Sequence, residues 1–222
     1  MTSKTRQGFT SELIGTFFLL LAVVGSGIMA QNLSPNDTGL QLLENSFATA
    51  GALICLILVF GSTSGAHFNP IVTFWARTEK QIDTRTAGFF MLAQLIGAIS
   101  GAMAANLIFE LDAVNWSTKD RTGWEIWLSE VIATFGLLMV IIGVVRSRKE
   151  QWVALAVAAY IAGAYFFTSS TSFANPAVTV ARTFSDTFAG ISPASAPMFI
   201  LSQLIGCALA LTVMNITHPR SH

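Results

Sequence analysis

The chain has 222 residues, of which 53% are hydrophobic and only 11% are charged. A soluble globular domain carries about 25% charged residues, so this composition excludes an ordinary soluble protein and indicates one embedded in a membrane. The formal net charge is zero, which gives no electrostatic attraction to nucleic acid. We therefore expect no nucleic-acid partner.

Apolar segments long enough to cross a bilayer as helices occur six times along the chain. A spanning helix needs about 20 predominantly apolar residues. Runs near that length lie at 11–30, 46–63, 86–109, 126–145, 152–169 and 194–214. The sequence therefore predicts an all-α membrane protein with six transmembrane helices.

Lysine and arginine are unevenly distributed among the segments that connect these spans. Basic residues concentrate in cytoplasmic loops, so the side with more of them is expected to face the cytoplasm. One side holds three: Lys119, Arg121 and Arg182. The side with both chain ends holds nine: Lys4, Arg6, Arg77, Lys80, Arg85, Arg146, Arg148, Lys149 and Arg220. We expect a multi-pass protein of the cell (inner) membrane, in contact with the lipid bilayer, with both termini cytoplasmic.

Two halves of the chain repeat the same landmarks in the same order. "SELIGTF" at 11–17 returns as "SEVIATF" at 129–135, and "AQLIGA" at 93–98 returns as "SQLIGC" at 202–207. In each half of the chain, an Asn-Pro segment lies between the first landmark and the second. Three matched landmarks in unbroken order indicate an internal repeat.

Each repeat, about 11–109 and 129–214, contains three spans and one Asn-Pro segment. An odd number of spans turns the second copy upside down relative to the first, which gives an inverted-topology repeat. The two Asn-Pro loops would then enter the membrane from opposite faces. We expect the whole chain, 1–222, to be a single channel-like domain.

Each Asn-Pro pair has the features of a helix start. Proline is favoured at the first helical position, and the asparagine before it can cap free backbone N–H groups. Two helix N-termini, each carrying about half a positive charge, would face each other inside the membrane. Irregular backbone at that depth must be buried or line a watery cavity, and the lead-ins at 62–66 and 169–172 are small or hydroxylated. The pattern predicts a pore.

The two Asn-Pro segments resemble the paired boxes of the major intrinsic protein family, the aquaporins and glycerol facilitators. "SGAHFNPIVT" at 64–73 is similar to the family's first Asn-Pro-Ala box with its lead-in, and "ANPAVTVAR" at 174–182 is similar to the second. The resemblance covers nearly the whole chain. It implies six spans with two re-entrant half-helices, packed as a homotetramer with one pore in each subunit.

The resemblance assigns the centre of the pore to the two boxes. Asn69 and Asn175 would donate hydrogen bonds to a passing small neutral solute, and the opposed helix dipoles would disfavour cations and protons. The first box has isoleucine in place of alanine, and Ile71 either narrows the pore or packs against neighbouring spans. The residues assigned to the centre are Asn69, Pro70, Ile71, Asn175, Pro176 and Ala177.

Two glutamates and one histidine lie where ionisable groups are costly. Glu12 and Glu130 occupy matching places near the start of each repeat, and a carboxylate in a membrane needs partners. Their pairing across the repeat favours hydrogen bonding to the re-entrant loops over a proton-relay role. His67 precedes the first box and either braces its loop or forms a pH-sensitive gate.

The family also implies a constriction outside the boxes, formed by four residues that include an arginine directly after the second box. That place is taken here by Val178. Gap-free alignment from the boxes gives the four positions as Thr49, Gly163, Ser172 and Val178. All are small and uncharged, so we expect a wide filter, unless Phe47 or Phe173, which adjoin two of these positions, returns an aromatic ring to it.

A wide uncharged filter would admit glycerol-like or larger neutral solutes. It resembles a bacterial branch of aquaglyceroporins linked to arsenic detoxification, which points to arsenite, neutral at pH 7 as As(OH)3, or to methylated arsenicals. Arg182 lies one helical turn beyond Val178. It either lines the outer vestibule and partly replaces the missing charge, or pairs with Asp186 or the lipid headgroups.

Two other readings remain open. An ordinary glycerol, urea or water facilitator shares all of these features, and a coupled secondary transporter with inverted repeats would use Glu12 and Glu130 to carry protons. An enzyme is not expected, because the sequence has no Ser/His/Asp or Cys/His grouping, phosphate loop or clustered metal ligands. We expect neither a cofactor nor a bound metal.

Overall fold

The computed structural model describes residues 2–219, which form eight α-helices and two short 3-10 helices without a β-sheet. Six helices are long and apolar enough to cross a membrane, the fifth of them together with the 3-10 turn Glu150–Trp152 that precedes it. They are α1 (Ser3–Leu33), α2 (Thr38–Ser64), α4 (Thr84–Ile108), α5 (Trp124–Arg146), α6 (Val153–Phe167) and α8 (Ala196–Thr217). The six predicted spans are confirmed.

Several helix ends differ from the apolar runs because caps rather than hydropathy fix them. The α1 helix begins at Ser3, well before the run at 11–30, because the Thr2 side chain accepts a hydrogen bond from the backbone N–H of Thr5. Asp37 and Asp83 cap α2 and α4 in the same way. Such caps satisfy backbone donors that would otherwise lack partners.

The two remaining α-helices are the half-helices that the Asn-Pro segments predict. The α3 helix (Pro70–Thr78) and the α7 helix (Pro176–Ala181) each begin with proline directly after an asparagine cap. A 3-10 turn, Arg182–Phe184, continues α7. Two short helices entering a bundle of six spans fit the predicted re-entrant architecture.

Glycines in the repeated "QLIG" landmark bring two pairs of spans into close contact. A side chain at Gly97 of α4 would collide with the carbonyl oxygen of Leu13 in α1. Its counterpart Gly206 of α8 stands in the same relation to Val131 of α5, whose carbonyl oxygen would lie 2.5 Å from an added Cβ. Small residues at helix contacts let backbones approach closely in membranes, so each half of the chain has one tightly packed helix pair.

Contacts among helix ends and loops indicate which of these segments lie on the same face of the helix bundle. Arg146 makes an ion pair with Glu79 at 2.8 Å and donates to the carbonyl of His218, so these three residues lie on one face. On the other face Lys119 donates to the carbonyl of Phe188. Which of the two faces is cytoplasmic stays a prediction. Arg220, counted in that prediction, lies outside the described residues.

Candidate functional site

A cavity of about 500 Å³ runs between the spans and the two re-entrant loops. Helices α1, α2, α5 and α6 supply apolar walls, and both boxes contribute polar atoms to it. Asn69 and Asn175 line this cavity together with the loop residues Ala66, His67, Phe68 and Ser172. The residues of the two Asn-Pro segments thus meet in one continuous space.

The two buried glutamates hold the re-entrant loops by the same pattern of four hydrogen bonds. The Glu12 carboxylate, from α1, accepts from the hydroxyl of Ser64, the backbone N–H groups of His67 and Phe68, and the amide of Gln94, at 2.6 to 2.9 Å. Backbone donors without helix or strand partners are thereby satisfied inside the bundle.

Glu130 of α5 repeats this arrangement on the second loop. It accepts from the hydroxyl of Ser170, the backbone N–H groups of Phe173 and Ala174, and the amide of Gln203, at 2.6 to 3.0 Å. A carboxylate has about four acceptor sites, so both glutamates are fully occupied as loop supports.

Sequence reasoning missed the glutamines that complete these networks. Gln94 also donates to the hydroxyl of Thr73 in α3 at 2.8 Å, and Gln203 donates to that of Thr179 in α7 at 2.9 Å. Each glutamine therefore ties a half-helix to the glutamate that holds its loop. The repetition of "QLIG" in both halves was a signal that could have identified them.

The two asparagines of the boxes are each bonded to the opposite loop. Asn69 donates from Nδ2 to the carbonyl of Ala174, and Asn175 donates to the carbonyl of Phe68, both at 2.8 Å. Their Oδ1 atoms accept backbone N–H groups of α3 and α7. An amide nitrogen has two hydrogens, so each asparagine keeps one N–H for a molecule in the cavity.

The loops reach this geometry through backbone conformations that residues other than glycine rarely adopt. Positive φ angles of 47° to 62° occur at five non-glycine residues of the two loops that precede α3 and α7: Ala66, Phe68, Thr171, Ser172 and Ala174. Such conformations cost of order 1–3 kcal/mol each and concentrate at functional sites. Here they place the carbonyls of Phe68 and Ala174 where the opposite asparagine can donate to them.

Three of the four residues assigned to the outer filter line the cavity, and one does not. Thr49, Ser172 and Val178 are buried and contact it. Gly163 is exposed on α6, and a side chain there would meet only Phe167. The gap-free alignment is corrected at this position because α6 turns Tyr165, two residues further on, toward the cavity.

Tyr165 gives the filter an aromatic member that the sequence analysis did not assign. Its hydroxyl lies 3.2 Å from the hydroxyl of Thr49, and both line the cavity. The Ser172 hydroxyl has no hydrogen-bond partner in the structure. Thr49, Tyr165, Ser172 and Val178 together bring three hydroxyl groups and one apolar side chain to the cavity wall.

The two phenylalanines beside the aligned filter positions have different surroundings. Phe47 is 80% exposed on the outer surface of α2 and is remote from the cavity. Phe173 is buried, contacts the cavity and stacks edge-on against Phe199 at 5.0 Å between ring centroids. An aromatic ring therefore borders the filter from the second loop.

Arg182 lines the cavity and does not pair with Asp186. Its guanidinium carbon lies 3.4 Å from the centre of the Phe173 ring, and its Nε donates to the carbonyl of Ala189. Asp186 instead accepts from the backbone and hydroxyl of Thr118. The alternative of an Asp186 or headgroup partner is corrected, because the side chain turns inward onto an aromatic ring.

The remaining box residues shape the half-helices more than the cavity. Pro70 and Pro176 start α3 and α7. Ile71 is buried in the hydrophobic core and, like Ala177, is absent from the cavity wall. Of the two alternatives for Ile71, the geometry matches packing against neighbouring spans.

His67, in the first re-entrant loop, is hydrogen-bonded to one residue of α1 and one of α3. Its backbone N–H donates to Glu12 at 2.9 Å, and its Nδ1 lies 3.1 Å from the hydroxyl of Thr73. The half-buried ring also lines the cavity. These bonds fit the loop-bracing alternative, while the ring remains accessible to the cavity.

Comparison with known proteins gives the same family that the two Asn-Pro segments resemble. The profile of the major intrinsic protein family matches residues 1–152. The chain is 44% identical over 205 residues to the aquaglyceroporin AqpS of Rhizobium meliloti (strain 1021), covering 92% of this chain and 87% of that protein. The chain belongs to the major intrinsic protein family.

More distant members and a solved structure extend the match over the full length. Aquaporin AqpM of Methanothermobacter marburgensis is 26% identical over 250 residues, covering 98% of this chain and 99% of that protein. The X-ray structure of the aquaglyceroporin from Plasmodium falciparum superposes with a TM-score of 0.71 at 21% identity, covering 95% of both chains. Family members are passive membrane channels and not enzymes.

Proposed function

We propose that this chain is a passive channel for small neutral solutes, conducting water together with glycerol-like molecules. The observation that carries this proposal is the lining of one cavity by Asn69 and Asn175, each with an amide N–H left to donate. A hydroxylated solute can exchange its water hydrogen bonds for these donors. The name of the relative AqpS, an aquaglyceroporin, supports the same solute class.

The outer ring has the chemistry that a polyol needs. The hydroxyls of Thr49, Tyr165 and Ser172 offer hydrogen bonds, while Val178 offers an apolar contact for a carbon backbone. Because position 178 carries no arginine, the ring has more room beside the second box than a filter with that side chain would have. Tyr165 takes up part of this room, so the ring admits small solutes and not bulky ones.

Within this class of small neutral solutes, we propose arsenite as a specific substrate. As(OH)3 is uncharged at pH 7 and presents three hydroxyl groups, which match the hydroxyls of the ring. The argument depends on Val178 standing where the family resemblance implies arginine. An ordinary glycerol, urea or water facilitator remains the second candidate, favoured by the bulk that Tyr165 adds.

A coupled transporter is disfavoured by the state of the two intramembrane carboxylates. Glu12 and Glu130 each accept four hydrogen bonds from the loops and a glutamine. A proton-carrying carboxylate must exchange partners between two states, and these would have to release the loops to do so.

We further propose that the protein lies in the cell (inner) membrane with both termini in the cytoplasm, as a single channel domain built from two inverted repeats. The excess of lysine and arginine on the face of the chain ends supports this orientation. Family resemblance supports a homotetramer, and the large apolar side chains exposed on α2, including Leu43 and Phe47, are available for lipid or subunit contacts.

Solute flux into proteoliposomes tests the proposed function. Purified protein is reconstituted, and swelling or shrinking is followed by stopped-flow light scattering with water, glycerol and arsenite gradients. We expect all three fluxes to exceed those of empty vesicles. Arsenite flux at the empty-vesicle level would reject the arsenite proposal, and glycerol flux at that level would reject the polyol channel.

A variant that fills the ring tells whether solutes use this cavity. Val178→Trp places a large uncharged side chain in the cavity that Val178 lines together with Thr49 and Tyr165, and we expect it to abolish glycerol and arsenite flux. Unchanged fluxes in a correctly inserted variant would show that the solutes take another route.

A further inference from the structure

Two arginines stack on one aromatic ring, that of Phe173, and one of them, Arg182, lines the cavity. Arg182, only 2% exposed, places its guanidinium carbon 3.4 Å from the centre of the Phe173 ring, and Arg121 places its own at 5.1 Å. Neither has a carboxylate partner: within residues 2–219 the ion pair found joins Arg146 to Glu79. Buried cations stacked on aromatic faces are strongly held.

Arg182 reaches the filter from one helical turn beyond Val178. Residues four apart lie on the same helical face, and both line the cavity. Arg182 keeps right-handed helical backbone angles at the end of α7, and side chains of helical residues lean toward the helix N-terminus. Its guanidinium therefore leans back toward the filter instead of outward to the membrane surface.

No acidic group within residues 2–219 forms an ion pair with Arg182, and Glu130 attracts it only through space. Asp186 accepts from Thr118, Asp120 accepts from Ser195, and Glu130 accepts from the loop. Arg121, by contrast, donates only to the backbone carbonyls of Gly190, Ser170 and Phe188. Arg182, on the cavity wall, and Arg121, which is not part of that wall, thus have neutral carbonyls and one aromatic ring as their hydrogen-bond and stacking partners.

We propose that Arg182 is the charge-selective residue of this channel, and that Phe173 is the platform that holds its guanidinium against the filter. The positive charge that position 178 lacks is supplied from position 182, and Arg121 reinforces it from the same ring. A fixed cation in a narrow, poorly hydrated ring repels protons and metal cations. Valine at 178 therefore leaves a wider ring than an arginine there would, while Arg182 retains the exclusion of cations.

This inference rests on the proposed channel function, and one set of vesicles separates the two. Glycerol flux reports whether the pore is open. Collapse of imposed proton and potassium gradients, read by an internal pH dye and a potassium electrode, reports charge selectivity. Wild type that passes no glycerol would reject the proposed channel. The difference in cation permeability between wild type and an Arg182 variant tests the role of the arginine alone.

Neutral substitution of Arg182 is the direct test. Arg182→Gln should raise proton and potassium permeability about tenfold or more, since removing one poorly solvated charge alters the barrier by at least about 1.4 kcal/mol, while glycerol flux persists. Arg182→Lys should keep the exclusion. Arg85→Gln is the matched control, because Arg85 also stacks on a phenylalanine, Phe89, at 5.7 Å but lies exposed away from the cavity.

A folded Arg182→Gln variant that conducts glycerol and excludes cations as well as wild type would overturn the proposal. If Arg182→Gln does not insert, Phe173→Leu removes the ring on which the Arg182 guanidinium stacks and leaves the arginine in place. A cation leak through Phe173→Leu supports the proposal, and cation exclusion equal to that of wild type contradicts the proposal.

Discussion

At the scale of single residues, two buried carboxylates are the supports on which both pore loops depend. Glu12 and Glu130 replace the water that would otherwise bond to the loop N–H groups. A buried carboxylate is costly by itself, and it is tolerated here because every lone-pair direction meets a donor. The hydrogen bonds of each glutamate thus offset the cost of burying both its carboxylate and the loop N–H groups.

Glu130→Gln should weaken the second loop without altering the size of the site. Glutamine keeps one carbonyl oxygen but presents an amide to donors, so at least one backbone N–H at Phe173 or Ala174 loses its acceptor. The expected loss is about 1–3 kcal/mol of stability, measured as a lower thermal midpoint in detergent. Glu125→Gln, at an exposed position in the first turn of the same helix, should leave the midpoint unchanged. Equal midpoints for all three proteins would contradict the role given to Glu130.

The filter assignment on α6 is tested by a pair of neighbouring substitutions. Tyr165→Ala removes the aromatic member of the ring, and we expect faster flux of polyols larger than glycerol. Gly163→Ala adds a methyl group on the outer surface of α6 and should change no flux. The measurement is stopped-flow swelling with a series of polyols of increasing size. If Gly163→Ala slows flux and Tyr165→Ala does not change it, the gap-free alignment was right.

At the scale of elements, helix pairs are held by glycines at matching positions of the two repeats. Gly97 and Gly101 of α4 lie against backbone carbonyls of α1, and Gly206 of α8 lies against α5. Each close contact orients the helix that carries Gln94 or Gln203, the glutamine of the loop network. Tight packing between spans therefore fixes the polar supports of the pore.

Gly97→Ala should separate α4 from α1, since the added carbon collides with the Leu13 carbonyl. Overpacking of this kind costs typically about 1–3 kcal/mol. Gly88→Ala, on the same helix but with open space around the added carbon, should be neutral or slightly stabilising because alanine favours helix. Thermal midpoints in detergent distinguish the two. A similar effect of both substitutions would refute close packing at Gly97.

The sequence was informative about elements and less so about the direction of side chains. Apolar length predicts the six spans, and the Asn-Pro pairs predict α3 and α7, because helix starts depend on local capping. Gly163 and Tyr165 could not be told apart, since the length of the loop from α6 to the second box sets which face of α6 meets the cavity. The inward turn of Arg182 depends on Phe173 and Ala189, which contact it only in the folded chain.

At the scale of the whole molecule, the two halves differ in the face from which each loop enters. The sequence analysis assigns nine basic residues to the face of the chain ends and three to the other face, and positively charged loops tend to stay in the cytoplasm. The ion pair of Arg146 with Glu79 links the first half-helix to the end of α5 on the face of the chain ends. Most of the residues on which the proposed orientation depends therefore lie outside the cavity wall.

Cysteine labelling checks this orientation. Single cysteines at Lys119 and Lys149, on a background in which Cys55 and Cys207 are alanine, are exposed to a membrane-impermeant maleimide in intact cells. We expect Lys119→Cys to react in intact cells and Lys149→Cys to react only after permeabilisation. The reverse pattern would place both termini outside.

The measurement that bears most directly on the proposed channel compares wild type with Val178→Arg in proteoliposomes, using water, glycerol and arsenite gradients side by side. Val178→Leu is the control for added volume without charge. We predict that wild type passes glycerol and arsenite, and that Val178→Arg reduces both fluxes strongly while water flux persists. Wild type that passes water alone, with no change in Val178→Arg, would contradict the proposed open ring of Thr49, Tyr165, Ser172 and Val178.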